Sequence, residues 1–241
     1  MTAVFAHRGC HDACRENTLG AFAEARRQGA DGVELDVRLG ADGSLVVHHD
    51  PVIPGAGPVA DLVAADLPPD VPLLAAAIEA CGDLVVNVEV KTDGAGPTGR
   101  RVEAIARAVV EAVAEPARGR DRVIVSSFDR ECLQSLHRAD PDLPLGLLVG
   151  WTADPRAALR EAVDDGFAAL HPFVSQVDRR LVEGAHRAGL TVNVWTVNAE
   201  EDLRSMVGLG VDGVITDRLG PALAVARVRD AGTGPVSGNG A

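Results

Sequence analysis

Tyrosine is absent from this 241-residue chain, and phenylalanine and tryptophan bring the aromatic share to only 3%. The core that 46% apolar residues allow must therefore be packed by Val, Leu and Ala, so each of the two Trp is worth locating. Positive charge is scarce too. The formal net charge is −12, which argues against a nucleic-acid partner, because phosphate-backbone binding runs on clustered Lys and Arg. A small anionic substrate in a local positive pocket remains open. No run approaches the ~20 uninterrupted apolar residues of a membrane span, so no stable membrane insertion is expected. Only Met1 to Ala3 precede the first apolar run, so a cytoplasmic location and four reduced cysteines are expected. Cys10, His11 and Cys14 stand close together, but two thiols and one imidazole fall short of a four-ligand zinc set.

What is present is alternation. Short Val-rich runs begin at Val4, Gly32, Leu84, Val123, Leu145, Ala168, Thr191 and Gly213, and a helical pattern follows each of them. Over 99–115, Val102, Ile105, Ala106, Val109, Val110 and Val113 mark one face of a helix. Asp154-Pro155 reads as a helix start, and so does Asn198 before "AEEDLRSMV". Eight strand–helix units in a chain of this length predict an α/β fold, a (β/α)8 TIM barrel, over 1–229 as one domain. A doubly wound sheet fits less well, since "HRGCHDAC" after the first strand lacks the G-x-G-x-x-G fingerprint. "SLVVHHD" at Ser44 follows the second strand too closely for a parallel crossover. With Asp42-Gly43 as its turn it predicts a short antiparallel hairpin excursion. The segment 230–241 has linker composition and is expected to be a flexible tail.

Strand alternation then places the chemistry. Glu34 and Asp36 share the face opposite Val33, Leu35 and Val37, while Glu89 and Lys91 share the face opposite Val86, Val88 and Val90. The apolar faces must meet the helices, so the acids point into the barrel. Three crowded carboxylates repel one another, and a hard divalent cation is the natural counter-charge. An internal ion-pair network with Lys91 and Arg8 is the alternative. If the hairpin closes around Ala41-Asp42, paired positions sum to about 83, which sets His49 across from Glu34 and turns His48 away. His7 ends the neighbouring first strand. Two imidazoles beside a carboxylate cluster at the C-terminal mouth suit an acid–base pair.

The segments "HRG…ENTLGAF", "GADGVELDVRLGADGSLVVHHDP", "NVEVK", "VSSF", "HP", "VNVWTVN" and "GVDGVITD" occur in one order along the chain. Together they resemble the glycerophosphodiester phosphodiesterase family. The resemblance implies a metal-dependent barrel that hydrolyses glycerophosphodiesters to glycerol 3-phosphate and an alcohol. It implies His7 and His49 as general acid and base, Arg8 and Lys91 on the phosphoryl group, and Glu34, Asp36 and Glu89 as ligands of Mg or Ca. The small-molecule diester is then the partner, and the oligomeric state stays open. Arg15 stands where the family often has Pro, and the segment after "HHDP" is shorter than usual and poor in aromatics and cations, which predicts broad tolerance for the alcohol half. A lysophospholipase D-type activity and a non-catalytic phosphometabolite-binding barrel are the competing readings. Trp195 and His171 are candidates for the substrate wall, while Ser127 and Asp217 end strands without a role.

Overall fold

The computed structural model describes residues 1–12, 14–92, 99–114 and 120–228. The barrel strands are β1 (Ala3–His7), β2 (Gly32–Leu39), β6 (Val85–Val90), β7 (Val123–Ser127), β8 (Leu145–Val149), β9 (Ala169–Pro172), β10 (Thr191–Val194) and β11 (Gly213–Thr216). They are parallel, and because β1 pairs with both β2 and β11 the sheet closes on itself. The helices that follow are α1 (Leu19–Arg27), α2 (Leu74–Cys81), α3 (Gly99–Val113), α4 (Arg130–Ala139), α5 (Pro155–Asp164), α6 (Arg179–Arg187), α7 (Glu200–Leu209) and α8 (Leu219–Val228). This is the (β/α)8 TIM barrel that the alternation predicts.

The core lies between strands and helices. Val33, Leu35, Val37, Val86, Val88 and Val90 are all buried and pack into one cluster with the inner faces of the helices, including Val102, Ile105, Ala106, Val109 and Val113 of α3. That cluster runs from Val4 to Ala226. The last residue of the predicted helix 99–115, the end of the domain at 229 and the predicted tail 230–241 lie outside the described residues. Asp154 caps α5 by accepting from the Arg156 N–H at 2.9 Å, with Pro155 in the first turn. Asn198 does not cap α7. Ala199 takes that place without a side-chain bond, because the Asn198 amide is engaged elsewhere.

Between β2 and α2 the chain makes the excursion. β3 (Leu45–Val47) runs antiparallel to β2, then β4 (Val52–Ile53) pairs with β5 (Gly57–Pro58). A separate small apolar cluster of Val46, Ile53, Val59 and Val71 holds it down. The register of β2 and β3 differs by one residue from the predicted one: Val37 faces Val47 and Leu39 faces Leu45. The turn is the reason. Gly40 and Ser44 close a three-residue loop, and Gly43 at φ 85° supplies the left-handed residue such a loop requires. Glu34 is therefore not paired across from His49. β3 ends at Val47, so alternation stops there and does not turn His48 away; both histidines line the same cleft.

Candidate functional site

Strand register assembles the site at the C-terminal mouth. His7 sits beside Glu34 in the β1–β2 pair, and Asp36 beside Glu89 in the β2–β6 pair. One oxygen from each of Glu34, Asp36 and Glu89 falls within 4.8 Å of the others, and all three side chains are buried. Burial, and then the neighbouring Asp36 charge, push the Glu34 pKa up to about 8. Burial raises that of Glu89 as well. Asp36 is also buried, but Lys91, Arg8 and the Asn17 amide hold it below the usual carboxylate range.

Cations partly answer this charge. Lys91 bonds Glu89 and lies 3.0 Å from Asp36, while Arg8 lies 2.9 Å from Glu16 and 3.4 Å from Asp36. The alternative of an internal ion-pair network is thus realised in part. It is incomplete. Glu34 Oε1 is buried and accepts no hydrogen bond, so acceptor capacity is left over where the three carboxylates converge, while Asp36 Oδ1 faces Lys91 Nζ at 3.0 Å. An all-oxygen set with spare buried acceptor capacity fits a hard divalent cation.

The loop after β1 makes the cradle. Arg8 and Asn17 both adopt left-handed backbone, at φ 55° and 54°, an uncommon state for residues other than glycine. The reversal aims the Arg8 N–H at Glu34 Oε2, 3.0 Å away. It also lets Asn17 clamp Asp36, donating to Oδ2 at 2.7 Å and accepting from the Asp36 N–H. Gly9 is required here, since a Cβ would lie 2.7 Å from that of Ala21 on α1. Arg15, standing where proline is common, pairs with Asp70 and ties this loop to the excursion.

The two histidines differ. His7 Nδ1 lies 2.6 Å from Asp217 Oδ1, which leaves Nε2 toward Glu34 at 3.8 Å. Burial disfavours the charged ring, yet the Asp217 bond and Glu34 outweigh it and raise the His7 pKa. Asp217 is fixed in turn by Asn198, which donates to Oδ2 at 2.6 Å and accepts from the Asp217 N–H at 2.9 Å. His11 Nε2 reaches the same carboxylate at 3.0 Å. His49 is half-buried on the excursion; its ring bonds the neighbouring Asp50 at 2.8 Å, and its carbonyl accepts from the Arg38 guanidinium at 2.6 and 2.9 Å. Burial lowers its pKa against the opposing pull of Asp36, whereas Lys91 and Arg8 push the same way as burial.

Sequence reasoning left Asp217 without a role and read Asn198 only as a cap. The signal for Asp217 was available: a closed barrel sets the last strand beside the first, and Thr216 pairs with Ala6. The residue after Thr216 must then meet the residue after Ala6. Of the two wall candidates, Trp195 lies across the mouth. Trp195 is half-buried between Phe128 and Phe173, with ring centroids 5.3 and 5.2 Å away, and Trp151 stacks edge-on against Phe173 at 6.4 Å. His171 is not brought to the site. It is fully buried in the barrel, accepts from Asn193 at 3.1 Å, and its carbonyl receives the Trp195 indole N–H at 2.9 Å.

Known proteins are similar to this chain over nearly its whole length. The model of the Glycerophosphoryl diester phosphodiesterase family matches residues 7–221. A glycerophosphodiester phosphodiesterase of Caldanaerobacter subterraneus subsp. tengcongensis is 36% identical, over 90% of this chain and 94% of that protein. One from Bacillus altitudinis is 32% identical over 90% and 95%. Among solved structures, an Oleispira antarctica phosphodiesterase in complex with the product sn-glycerol-3-phosphate superposes with a TM-score of 0.82 at 27% identity, covering 93% of this chain and 96% of that one.

Proposed function

Because the chain belongs to the glycerophosphoryl diester phosphodiesterase family, we propose that it hydrolyses glycerophosphodiesters to glycerol 3-phosphate and an alcohol, using His7 and His49 for proton transfer. The observation that carries the mechanism is the meeting of the buried Glu34–Asp36–Glu89 group with the His7–Asp217 pair at one strand-end cluster. Glu34, Asp36 and Glu89 would hold Mg or Ca. Such an ion, when bound, neutralises charge that develops on the phosphoryl oxygens.

The protein's own groups do the rest. Arg8 offers its guanidinium to the phosphoryl oxygens, with Nη1 on Glu16 and Nε buried 3.4 Å from Asp36 Oδ2. Lys91 adds a second positive charge beside Asp36. With Nδ1–H donated to Asp217, His7 presents an unprotonated Nε2 to the site, the tautomer that accepts a proton. His7 takes the proton of the glycerol hydroxyl next to the phosphate as that oxygen attacks phosphorus. His49 gives a proton to the departing alcohol oxygen as its bond to phosphorus breaks. Water then opens the resulting cyclic phosphate while the two imidazoles exchange roles, which restores both. Trp195, flanked by Phe128 and Phe173, forms one wall for the alcohol half. His171 supports that wall from below through its carbonyl.

A second reading has one observation behind it. Trp151 and Phe128 are 71% and 45% exposed, so apolar surface stands open at the mouth, as a lysophospholipid tail would need. Among the described residues no helix is long and apolar enough to cross a membrane.

The test is release of glycerol 3-phosphate from a panel of glycerophosphodiesters and long-chain lysophospholipids, with and without chelator. Activity should vanish with chelator and return with Mg or Ca. Glu89→Gln should raise the magnesium needed for half-maximal rate by at least about tenfold, with little change in melting temperature. Full activity in metal-free protein defeats the proposal, and exclusive use of lysophospholipids favours the second reading.

A further inference from the structure

His11 takes no part in the reaction above, yet its ring is drawn into the mouth. The left-handed Arg8 and Gly9 curl the chain back, and the His11 N–H bonds the Gly9 carbonyl at 3.1 Å. Cys10 turns the other way, buried, with its Sγ accepting from Gln28. The metal set that fell short along the sequence is thus replaced by a different one in space. His11 Nε2 and His7 Nδ1 converge on a single oxygen, Asp217 Oδ1, at 3.0 and 2.6 Å. All three side chains offer a ligand atom within 4.8 Å of the others, and the two rings stand edge-on, with centroids 6.4 Å apart. The side chains are 19–30% exposed, so an ion can reach them from solvent.

The donor chemistry differs from that of the neighbouring carboxylates. Two imidazoles and one carboxylate, with coordination places left for water, suit zinc and similar transition ions, whereas Mg and Ca prefer the all-oxygen group. Asp217 is already held in place by Asn198, so little ordering remains for the ion to impose.

We propose that His7, His11 and Asp217 form a second metal site, selective for zinc-like ions, and that filling it switches the enzyme off. Coordination through His7 Nδ1 replaces the hydrogen bond to Asp217. A neutral imidazole carries one N–H, so the proton that leaves Nδ1 must sit on Nε2. That nitrogen faces the substrate and then has no lone pair with which to accept a proton. No bond to substrate forms or breaks, and removal of the ion restores the pair. The inhibitory half of this inference rests on His7 as proton acceptor; the binding half does not.

The experiment uses the full chain in excess magnesium, which occupies the carboxylate group. Cobalt(II) serves as the spectroscopic probe and zinc as the inhibitor. The wild-type protein should take up one equivalent of cobalt with visible d–d bands, lose them to zinc, and be inhibited by zinc in parallel. His11→Asn and His11→Gln should keep turnover in magnesium close to wild type, lose the bands, and need at least about a hundredfold more zinc for half inhibition. Unchanged bands or unchanged zinc sensitivity in both variants overturns the site. Loss of magnesium turnover in both, as complete as in His7→Ala, overturns it as well, since His11 would then belong to the reaction. If cobalt binds through His11 but zinc leaves turnover intact, the site stands and the reading of His7 falls.

Discussion

The barrel mouth has two unlike halves. Along one arc, β11, β1, β2 and β6, with the residues that follow them, bring Asp217, His7, the Glu34–Asp36 pair and Glu89–Lys91. Along the other, β7, β8, β9 and β10 are followed by Phe128, Trp151, Phe173 and Trp195. Four of the chain's seven aromatic residues stand on that second arc. The charged half is set by strand register and tied down by side-chain bonds. The aromatic half follows the strand ends and is held by ring contacts. Bond making needs the first kind of precision, whereas an adaptable grip on one end of a ligand needs only the second.

Removing the imidazoles breaks the charged half most severely. His7→Ala and His49→Ala should each lower kcat on the order of 10³–10⁴-fold, with the double variant little worse than either. His48→Ala separates the two neighbours in the cleft: it should be mild, and steady-state assay of the four variants checks the set. Next comes Asp217→Asn, which keeps shape but removes the charge that orients His7. Turnover should fall about a hundredfold with KM and melting temperature nearly unchanged, whereas general unfolding would lower the melting temperature. On the aromatic half, Trp195→Ala should lower kcat/KM by about tenfold, mostly through KM and most for bulky alcohols. A kcat effect as large as that of Asp217→Asn would erase the distinction between the halves.

The smallest effect concerns stability. Burial depresses the His171 pKa from 6.5 to about 4. The unfolded chain therefore binds a proton that the folded one refuses between those values. Stability contributed by the neutral ring is complete above pH 6.5 and lost as pH falls toward 4, by up to about 3 kcal/mol. Chemical denaturation across that range should show the slope in wild type and a shallower one in His171→Asn.

How much of this could be read along the chain depends on range. The eight strand–helix units were legible because period-two and period-3.6 patterns are local, and Glu34, Asp36 and Glu89 could be placed inward for the same reason. The hairpin register was not, because it turned on whether Ala41-Asp42-Gly43 closes as a three-residue loop, a single left-handed residue at Gly43. His48 and His49 lie past the last paired residue, where alternation carries no information. Asp217 escaped because His7 is 210 residues away and meets it only on barrel closure, and Asn198 because its partner, 19 residues on, lies past the next strand. His11 was weighed with Cys10 and Cys14, its neighbours in sequence, when its neighbours in space are His7 and Asp217.

The span of the His7–Asp217 bond has a consequence for biosynthesis. A ribosome adding about 5–20 residues per second makes Asp217 some 10–40 s after His7. Until then the first strand has no final neighbour on one edge, and its histidine has no carboxylate to hold it. A nascent chain, or one cut short before β11, carries most of the charged arc without its orienting partner. The His7–Asp217 pair therefore forms only late in translation.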